Sequence, residues 1–555
     1  MKTKLRNKWV SKLMALCLTA VMVLSMGMTA SAEVTPTESK NVTVDGLDEG
    51  TTVSIYKVIE VNVNNNGQPE NPMYTWTDGM AAWLKNNTNE TYKTYIDENT
   101  NAVAEAFQKG TTAEAFRSFW HDVEAAIQAA QIDISIAYDD QIVAAGQTSA
   151  TFTDVGMGEY LLSAKGGVKI YQPTTVLLVP SYNKEKNEWI LGDATVGTDT
   201  RMKGEQPPIE KTVQDGDNTV AVGDTVTFVL NATVPSYPED ATYKKFIISD
   251  KLGTGLVFKG SIDKNSIKVS SDVEGNNTIN QSYYDVQPNW TSPETYEQRT
   301  FAVIFNNNFF ENSSTIKNVY VTYQAEVTAD AFMSDPSGTM VNDAFLGYNN
   351  DPYTEDGYKE NPTDKKVYTY EIDLTKVDSE GIAIKENSAT FQLKTGDTLL
   401  YFTGSKGVYT YNSSNTVSTA GATADLVTDS DGSLKIKGLD AGTYTLLETK
   451  APDGYVLPNG SIEIIIQDQE PDGTIDKVSS GNVTASGGAA LNGEVTISDN
   501  STTISFKVQN TSSDEAGFTL PTTGGMGTMI FTIAGILIMG GAVALIVVAA
   551  RKKRG

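Results

Sequence analysis

The chain has one cysteine and one histidine in 555 residues. The cysteine, Cys17, lies in an apolar run near the N-terminus, and removal of that run leaves a protein without thiols. Disulfides, cysteine–zinc sites, iron–sulfur clusters and a cysteine nucleophile are then excluded. The lone histidine, His121, cannot supply a multi-histidine metal site and makes a Ser-His-Asp triad a poor reading. Its ordinary role is that of a surface or half-buried side chain. Basic residues are also short: 42 Lys+Arg stand against 69 Asp+Glu, a formal charge of −27. Such a balance disfavours nucleic-acid partners. Secreted domains commonly carry disulfide staples. A secreted chain without thiols has to be held together by something else.

What is present begins with the two ends. Lys2, Lys4, Arg6, Lys8 and Lys12 make a basic n-region, Leu13 to Met28 an apolar h-region, and Ala30-Ser31-Ala32 a small-residue cleavage pattern. Residues 1–32 therefore read as a secretory signal. Near the C-terminus, Leu520-Pro521-Thr522-Thr523-Gly524 precedes an uncharged stretch from Met526 to Ala550 and the basic tail Arg551-Lys552-Lys553-Arg554. At about 1.5 Å per residue, a helix over that stretch crosses a hydrocarbon core of about 30 Å. The tail would stay on the cytoplasmic side. The removed ends hold basic residues and no acid, so the mature chain is more acidic still and self-repelling.

LPTTG ahead of a span and a basic stop resembles the cell-wall sorting signal of Gram-positive surface proteins. The resemblance implies that a sortase cleaves between Thr523 and Gly524 and passes Thr523 to an amine. Residues 516–555 are assigned to this signal, with a C-terminal transmembrane helix.

Between the ends the chain reads as mainly β. Runs such as Val53–Val58, Val176–Val179, Thr225–Ala232, Val319–Val327, Ser433–Ile436 and Ile462–Ile466 are separated by Gly, Asn, Asp and Pro turn signals. This pattern predicts tandem immunoglobulin-like β-sandwich domains. One stretch differs. From Trp76 to Gln131 the chain is rich in Ala, Glu, Phe and Gln. Thr111-Thr112-Ala113-Glu114 opens a capping-box pattern before a Phe116, Phe119, Val123, Ile127 stripe, predicting a helical insert in the first domain. Polar, Pro-containing stretches at 204–208 and 351–366 divide the chain into expected domains 33–203, 204–365 and 366–515. A weak repeat links the first and third. Phe152-Thr-Asp-Val-Gly-Met-Gly-Glu-Tyr160-Leu-Leu matches Ile436-Lys-Gly-Leu-Asp-Ala-Gly-Thr-Tyr444-Thr-Leu. Four residues after each Tyr the copies differ, as Ala164 and Glu448.

Tyr444-Thr-Leu-Leu-Glu448-Thr-Lys-Ala-Pro452-Asp-Gly-Tyr455 is the most specific internal signal. It resembles the E-box of Gram-positive pilins and collagen-adhesin (Cna) B-type domains. Tyr370-Glu-Ile-Asp-Leu-Thr-Lys376 resembles the first strand of such domains, and Ile504-Ser-Phe-Lys-Val-Gln-Asn510 their last. The resemblance implies an intradomain isopeptide bond between Lys376 and Asn510, assisted by Glu448 and joining the first and last strands. The chemistry suits these residue types. Burial favours a neutral, nucleophilic amine and a protonated acid, which polarises the carboxamide under attack. Ammonia leaves, and proximity replaces an external enzyme.

Ile209-Glu-Lys211-Thr-Val, followed by Val222-Gly-Asp-Thr-Val-Thr-Phe228, resembles the middle isopeptide domain of fimbrial backbone subunits. Phe246-Ile-Ile-Ser-Asp250 matches the position of its catalytic acid. Met340-Val-Asn342-Asp-Ala supplies the acceptor Asn342, with Asn349 and Asn350 as alternatives. Lys57 lies on a probable strand of the first domain. Ala164 replaces the glutamate there, so no bond is expected in residues 33–203.

The same family carries a pilin-motif lysine near the end of the first domain. Lys203 occupies that place, although Arg201-Met202 stands where Tyr-Pro is usual; Lys184 and Lys186 are alternatives. Together these features resemble a sortase-assembled major (backbone) pilin. The resemblance implies a structural subunit, not an enzyme, with no cofactor or metal. Its expected partners are pilus-specific and housekeeping sortases, copies of itself, peptidoglycan, accessory pilins and host ligands. A wall-anchored adhesin or non-polymerising accessory pilin is the other reading. Both place the protein in the wall of a Gram-positive bacterium.

Overall fold

In the computed structural model the alternating runs form strands grouped around three main hydrophobic cores. Described residues are 39–514, apart from 65–67, 184, 186–187, 193–200, 215, 238–240, 335–337, 467–481 and 498–501. The signal peptide, the sorting signal Leu520–Gly524, the apolar stretch after it, Lys184 and Lys186 all lie outside them. Among the described residues no helix is long and apolar enough to cross a membrane.

The first core lies between β-sheet and helices. Its main sheet runs Pro69–Trp76, Thr52–Val63, Gly158–Lys165, Thr174–Leu178, with Tyr138–Ile142 also paired to Thr52–Val63. The insert contributes helices Asp78–Lys85, Glu90–Lys93, Glu105–Gly110 and Ala113–Gln128. On the last of these Phe119 and Val123 are fully buried, while Phe116 and Ile127 pack half-buried against them. The N-cap is Thr112, whose hydroxyl accepts from the Ala115 N–H at 3.2 Å. Thr111 instead donates to the Phe107 carbonyl at 3.0 Å, closing the preceding helix. The capping box thus resolves into two threonines serving two helices.

The second core is enclosed by two five-stranded sheets. One holds Ile209–Val213, Thr225–Thr233, Asn318–Val327 and Leu256–Phe258, with Lys268–Ser270 also on Asn318–Val327. The other runs Tyr284–Pro288, Phe301–Phe305, Phe246–Leu252, Thr339–Asn349, Tyr358–Tyr368. The stretch 351–366, read as a polar connection, contributes most of the last of these strands. Tyr358–Tyr368 pairs from end to end with Thr339–Asn349. It sits at the sheet edge, where Pro362 and outward-facing lysines are tolerated.

The third core also lies between two sheets. Tyr370–Val377 is flanked by Ser433–Leu439, antiparallel, and Thr503–Gln509, parallel. The facing sheet contains Thr390–Thr395, Gly442–Lys450, Ile462–Ile466 and Asn482–Ala485.

The weak sequence repeat has a structural counterpart. Gly158 and Gly442 hold φ of +153° and +157° at the starts of their strands. Two residues later each tyrosine hydroxyl donates to the carbonyl four residues upstream. Tyr160 reaches Gly156 at 3.0 Å and Tyr444 reaches Asp440 at 2.8 Å. Such a corner ties the strand to the turn that feeds it. Tyr160→Phe is expected to cost about 1 kcal/mol, a typical net value for one internal hydrogen bond. Trp76 and Trp120 lie in the first core, so tryptophan fluorescence in a urea titration reads the loss. An unchanged midpoint would show the corner to be dispensable.

Candidate functional site

Two lysines are buried inside the second and third cores. Lys376 ends the strand Tyr370–Val377, and the parallel register sets it opposite Val508. Its side chain is fully buried. Nζ donates to the Val508 carbonyl at 3.0 Å and to Oδ1 of Asn510. The amide nitrogen of Asn510 donates to Oε1 of Glu448 at 2.8 Å. Oε2 of Glu448 lies 3.8 Å from the lysine nitrogen and has no hydrogen-bond partner among the described residues. Three residues from three strand regions thus meet in one buried cluster. Burial pushes the Lys376 amine down to about 8, against the pull of Glu448. Burial likewise pushes the Glu448 carboxyl up, against Lys376. Both shifts favour a neutral amine beside a neutral acid, the states that amide attack needs.

Lys211 lies on Ile209–Val213, in one sheet of the second core. Its side chain and that of Asp250 are fully buried and meet at 2.5 Å. The amine also lies 3.4 Å from the Asp343 carbonyl. Aromatic rings enclose it, with Nζ 5.1 Å from the Phe228 centroid and 5.8 Å from that of Tyr323. Burial lowers the lysine's pKa and raises that of Asp250, each opposed by the other's charge. Asn342 is fully buried. Its amide nitrogen donates to the Tyr323 hydroxyl at 2.7 Å, and among the described residues its amide oxygen has no partner. Tyr323 lies beside Asp250, and burial, with the negative charge of that acid, pushes the phenol up. Asn342 stands on Thr339–Asn349, in the sheet facing Lys211, and another strand follows it. The pair therefore spans from sheet to sheet and does not join first to last strand.

The alternative acceptors are engaged elsewhere. The Asn349 amide donates to the Tyr243 and Thr354 carbonyls at 2.9 and 2.8 Å. Asn350 donates to the Gly167 carbonyl at 2.9 Å. Sequence reasoning missed Tyr323. The available signal was the strand Val319–Val327, whose inward positions are otherwise Val and Ala, with a hydroxyl among them.

Among the described residues the first core holds no comparable set. Lys57 is half-buried and paired with Glu60, and Ala164 sits where Glu448 would be. Lys203 is different again. It begins the short strand Lys203–Glu205, paired with Ile170–Gln172, and it is exposed. Met202 just before it is buried in the first core, and its N–H donates to the Asp45 carbonyl at 2.9 Å. The methionine thus anchors the backbone while the lysine faces outward. Lys203 borders a cavity of about 330 Å³ shared with His121, Arg117, Tyr171 and Pro207. Burial, with Arg117 nearby, holds the His121 imidazole down at about 4. Among the described residues no cluster of His, Cys, Asp or Glu could hold a metal.

Comparison with known proteins gives two domain matches. Residues 370–481 match the SpaA prealbumin-like fold domain, and residues 512–554 the LPXTG cell wall anchor motif. The trypsin-resistant surface T6 protein of Streptococcus pyogenes serotype M6 is 23% identical over 482 residues, spanning 81% of this chain and 76% of that protein. Among solved structures, the T6 backbone pilin of the same serotype is similar at 18% identity and a TM-score of 0.49, over 87% of this chain and 100% of that one. The major pilin SpaD of Corynebacterium diphtheriae is similar at 17% identity and 0.43, with the same coverage. The chain thus carries a SpaA prealbumin-like fold domain followed by an LPXTG cell wall anchor motif, which marks it as a cell-wall-anchored extracellular protein.

Proposed function

We propose that the chain is the backbone subunit of a covalent pilus, polymerised by sortase and stapled internally by two lysine–asparagine isopeptide bonds. The supporting observation is a contrast between lysines. Lys376 and Lys211 are dry, each against a carboxylic acid, with an asparagine in the same buried cluster. Lys203 is exposed on an anchored backbone. The first two suit a reaction completed once, within the folded chain. The third suits an amine that a separate enzyme must reach.

In each staple the lysine nitrogen attacks the asparagine carboxamide carbon. One C–N bond forms, one breaks and ammonia leaves. Lys376 bonds to Asn510 with Glu448 as the acid, and Lys211 bonds to Asn342 with Asp250 as the acid. Between subunits, sortase cleaves after Thr523, and Lys203 of another copy takes the threonyl group. The final subunit passes to peptidoglycan. The chain is a structural element in this scheme and turns over no substrate.

A second reading, a wall-anchored adhesin or accessory pilin, has one observation in its favour. The helical insert borders a groove of about 840 Å³ that includes Trp83, Tyr92, Asn86, Asp122 and Gln131. An aromatic floor with a polar rim suits ligand capture. It does not need Lys203 and leaves the staples unchanged.

Intact mass of the recombinant ectodomain is expected to fall below the sequence mass by one ammonia, about 17 Da, per bond, hence by about 34 Da for two. An unshifted mass would sink the stapling scheme. Glu448→Ala is expected to restore one ammonia and to remove the Lys376–Asn510 cross-linked peptide from a tryptic digest. The Lys211–Asn342 peptide should remain. In the native host, Lys203→Ala should abolish the ladder of high-mass polymers on a denaturing gel. A persisting ladder would exclude Lys203 as the polymerising residue.

A further inference from the structure

The two proposed staple centres differ in one connection. At Lys376 the acid touches the nitrogen that must leave: Asn510 Nδ2 donates to Glu448 Oε1 at 2.8 Å. At Lys211 the partner of the leaving nitrogen is a tyrosine. Asn342 Nδ2 donates to the Tyr323 hydroxyl at 2.7 Å, and that hydroxyl lies beside Asp250, whose Oδ1 has no hydrogen-bond partner among the described residues. Asp250 itself meets the attacking nitrogen at 2.5 Å. The four groups thus lie next to one another in the order Lys211, Asp250, Tyr323, Asn342, with hydrogen bonds at the two ends of the series. Tyr323 is 1% exposed and wedged between the rings of Phe228, Phe258 and Phe301, with centroids 5.6, 5.9 and 4.9 Å away.

We propose that Tyr323 is a catalytic proton relay of the Lys211 centre, carrying to the leaving amide nitrogen the proton that Glu448 delivers directly in the Lys376 centre. The inference rests on the isopeptide reading above. The neutral Lys211 amine attacks the Asn342 carbonyl carbon. As the tetrahedral adduct collapses, Tyr323 gives its hydroxyl proton to Nδ2, which departs as ammonia. Asp250 reprotonates the tyrosine and recovers a proton from the lysine nitrogen. One C–N bond has formed and one has broken, and every group ends in its starting protonation state. A hydroxyl fits this task because it donates and accepts at once. It cannot wait as a buried phenolate, so the transfers are coupled. The aromatic cage keeps out water that could shuttle the proton instead.

The test is Tyr323→Phe in the full ectodomain, followed by intact mass and peptide mapping from the time of synthesis. Formation of the Lys211–Asn342 cross-link is expected to slow by about a hundredfold, the lower range of general acid–base contributions. The Lys376–Asn510 cross-link should form as in the parent and serves as an internal clock. Phe258→Leu, which disturbs the ring stacked on Tyr323, leaves Phe228 over Lys211 in place and keeps the hydroxyl, should still cross-link. Tyr323→Phe cross-linking at the parent rate would overturn the relay. So would equal losses in the two variants, since these would mark packing as the cause. If the unsubstituted chain lacks the Lys211–Asn342 peptide, the staple reading itself fails, which is a distinct result.

Discussion

A lysine amine inside a hydrophobic core is the constraint on which the rest of this molecule depends. A buried ammonium is costly unless it is paired, and the cost falls away when the amine is neutral. Both cores supply that condition through strand register. Lys376 is placed between Ser433–Leu439 and Thr503–Gln509, and Lys211 beneath Phe228 and Tyr323. The acid beside each lysine shares its burial and shifts the opposite way, so burial favours the neutral form of both partners. The proposed condensation would replace an amine and a carboxamide by one amide. The Val508 carbonyl, which already accepts from Lys376 at 3.0 Å, remains to receive the new N–H. The site thus stabilises reactant and product through the same backbone.

Much of this was legible in the sequence because each reacting residue sits in a short run with its own strand signature. Lys376, Glu448 and Asn510 are three such runs. They come together because the first and last strands of the module are parallel neighbours. The middle set was harder. Asp250 and Lys211 stand in recognisable strands, but three asparagines compete within nine positions. Only packing separates Asn342, whose oxygen has no donor, from Asn349, whose amide holds a loop. Tyr323 was silent because a tyrosine in an apolar alternation reads as core. Its meaning comes from Asp250 and Asn342 on other strands. The edge strand Tyr358–Tyr368 was misread for a different reason. With one face and one edge in water, its lysines, Asp364 and Pro362 carry a loop's composition. The wall around Lys203 draws on residues 117, 121, 171, 207 and 234–237, a set with no local pattern.

The missing disulfide and the exposed lysine belong to one argument about where tension runs. In the proposed polymer, force enters each subunit at Lys203 and leaves through Thr523. In the third module it reaches Tyr370, passes along the strand to Lys376, crosses the new amide to Asn510 and exits. Tyr370–Val377 and Thr503–Gln509 are parallel, so the bond joins their C-terminal ends. Everything from Val377 to Gln509, the E-box strand included, is off the path and cannot be extended. A cross-link closing a loop of this span, 134 residues apart in sequence, would also restrict the unfolded chain. By the loop-entropy reckoning used for disulfides that is worth about 5 kcal/mol.

In the proposed scheme the second module would be stapled less completely, and the difference follows from topology. Force entering near Ile209 reaches Lys211 and crosses to Asn342, so residues between them are shielded. It then has to travel along the rest of Thr339–Asn349, around the turn and back along Tyr358–Tyr368. Asn342 faces Lys365 in this antiparallel pair, and Thr339 faces Tyr368. Pulling at Thr369 therefore opens the hairpin from its free end, one hydrogen-bonded pair after another. In the third module no strand follows the acceptor among the described residues, and no such reserve exists. The clip from Arg299 to Glu360, at 2.8 Å and with the arginine fully buried, fastens this returning strand to the sheet interior. Arg299 also lies 3.6 Å over the Phe345 ring on the partner strand. With the proposed amides in place, a non-covalent clasp at the stretch left exposed to tension would give the middle module a reversible yield point, while its neighbour would stay inextensible.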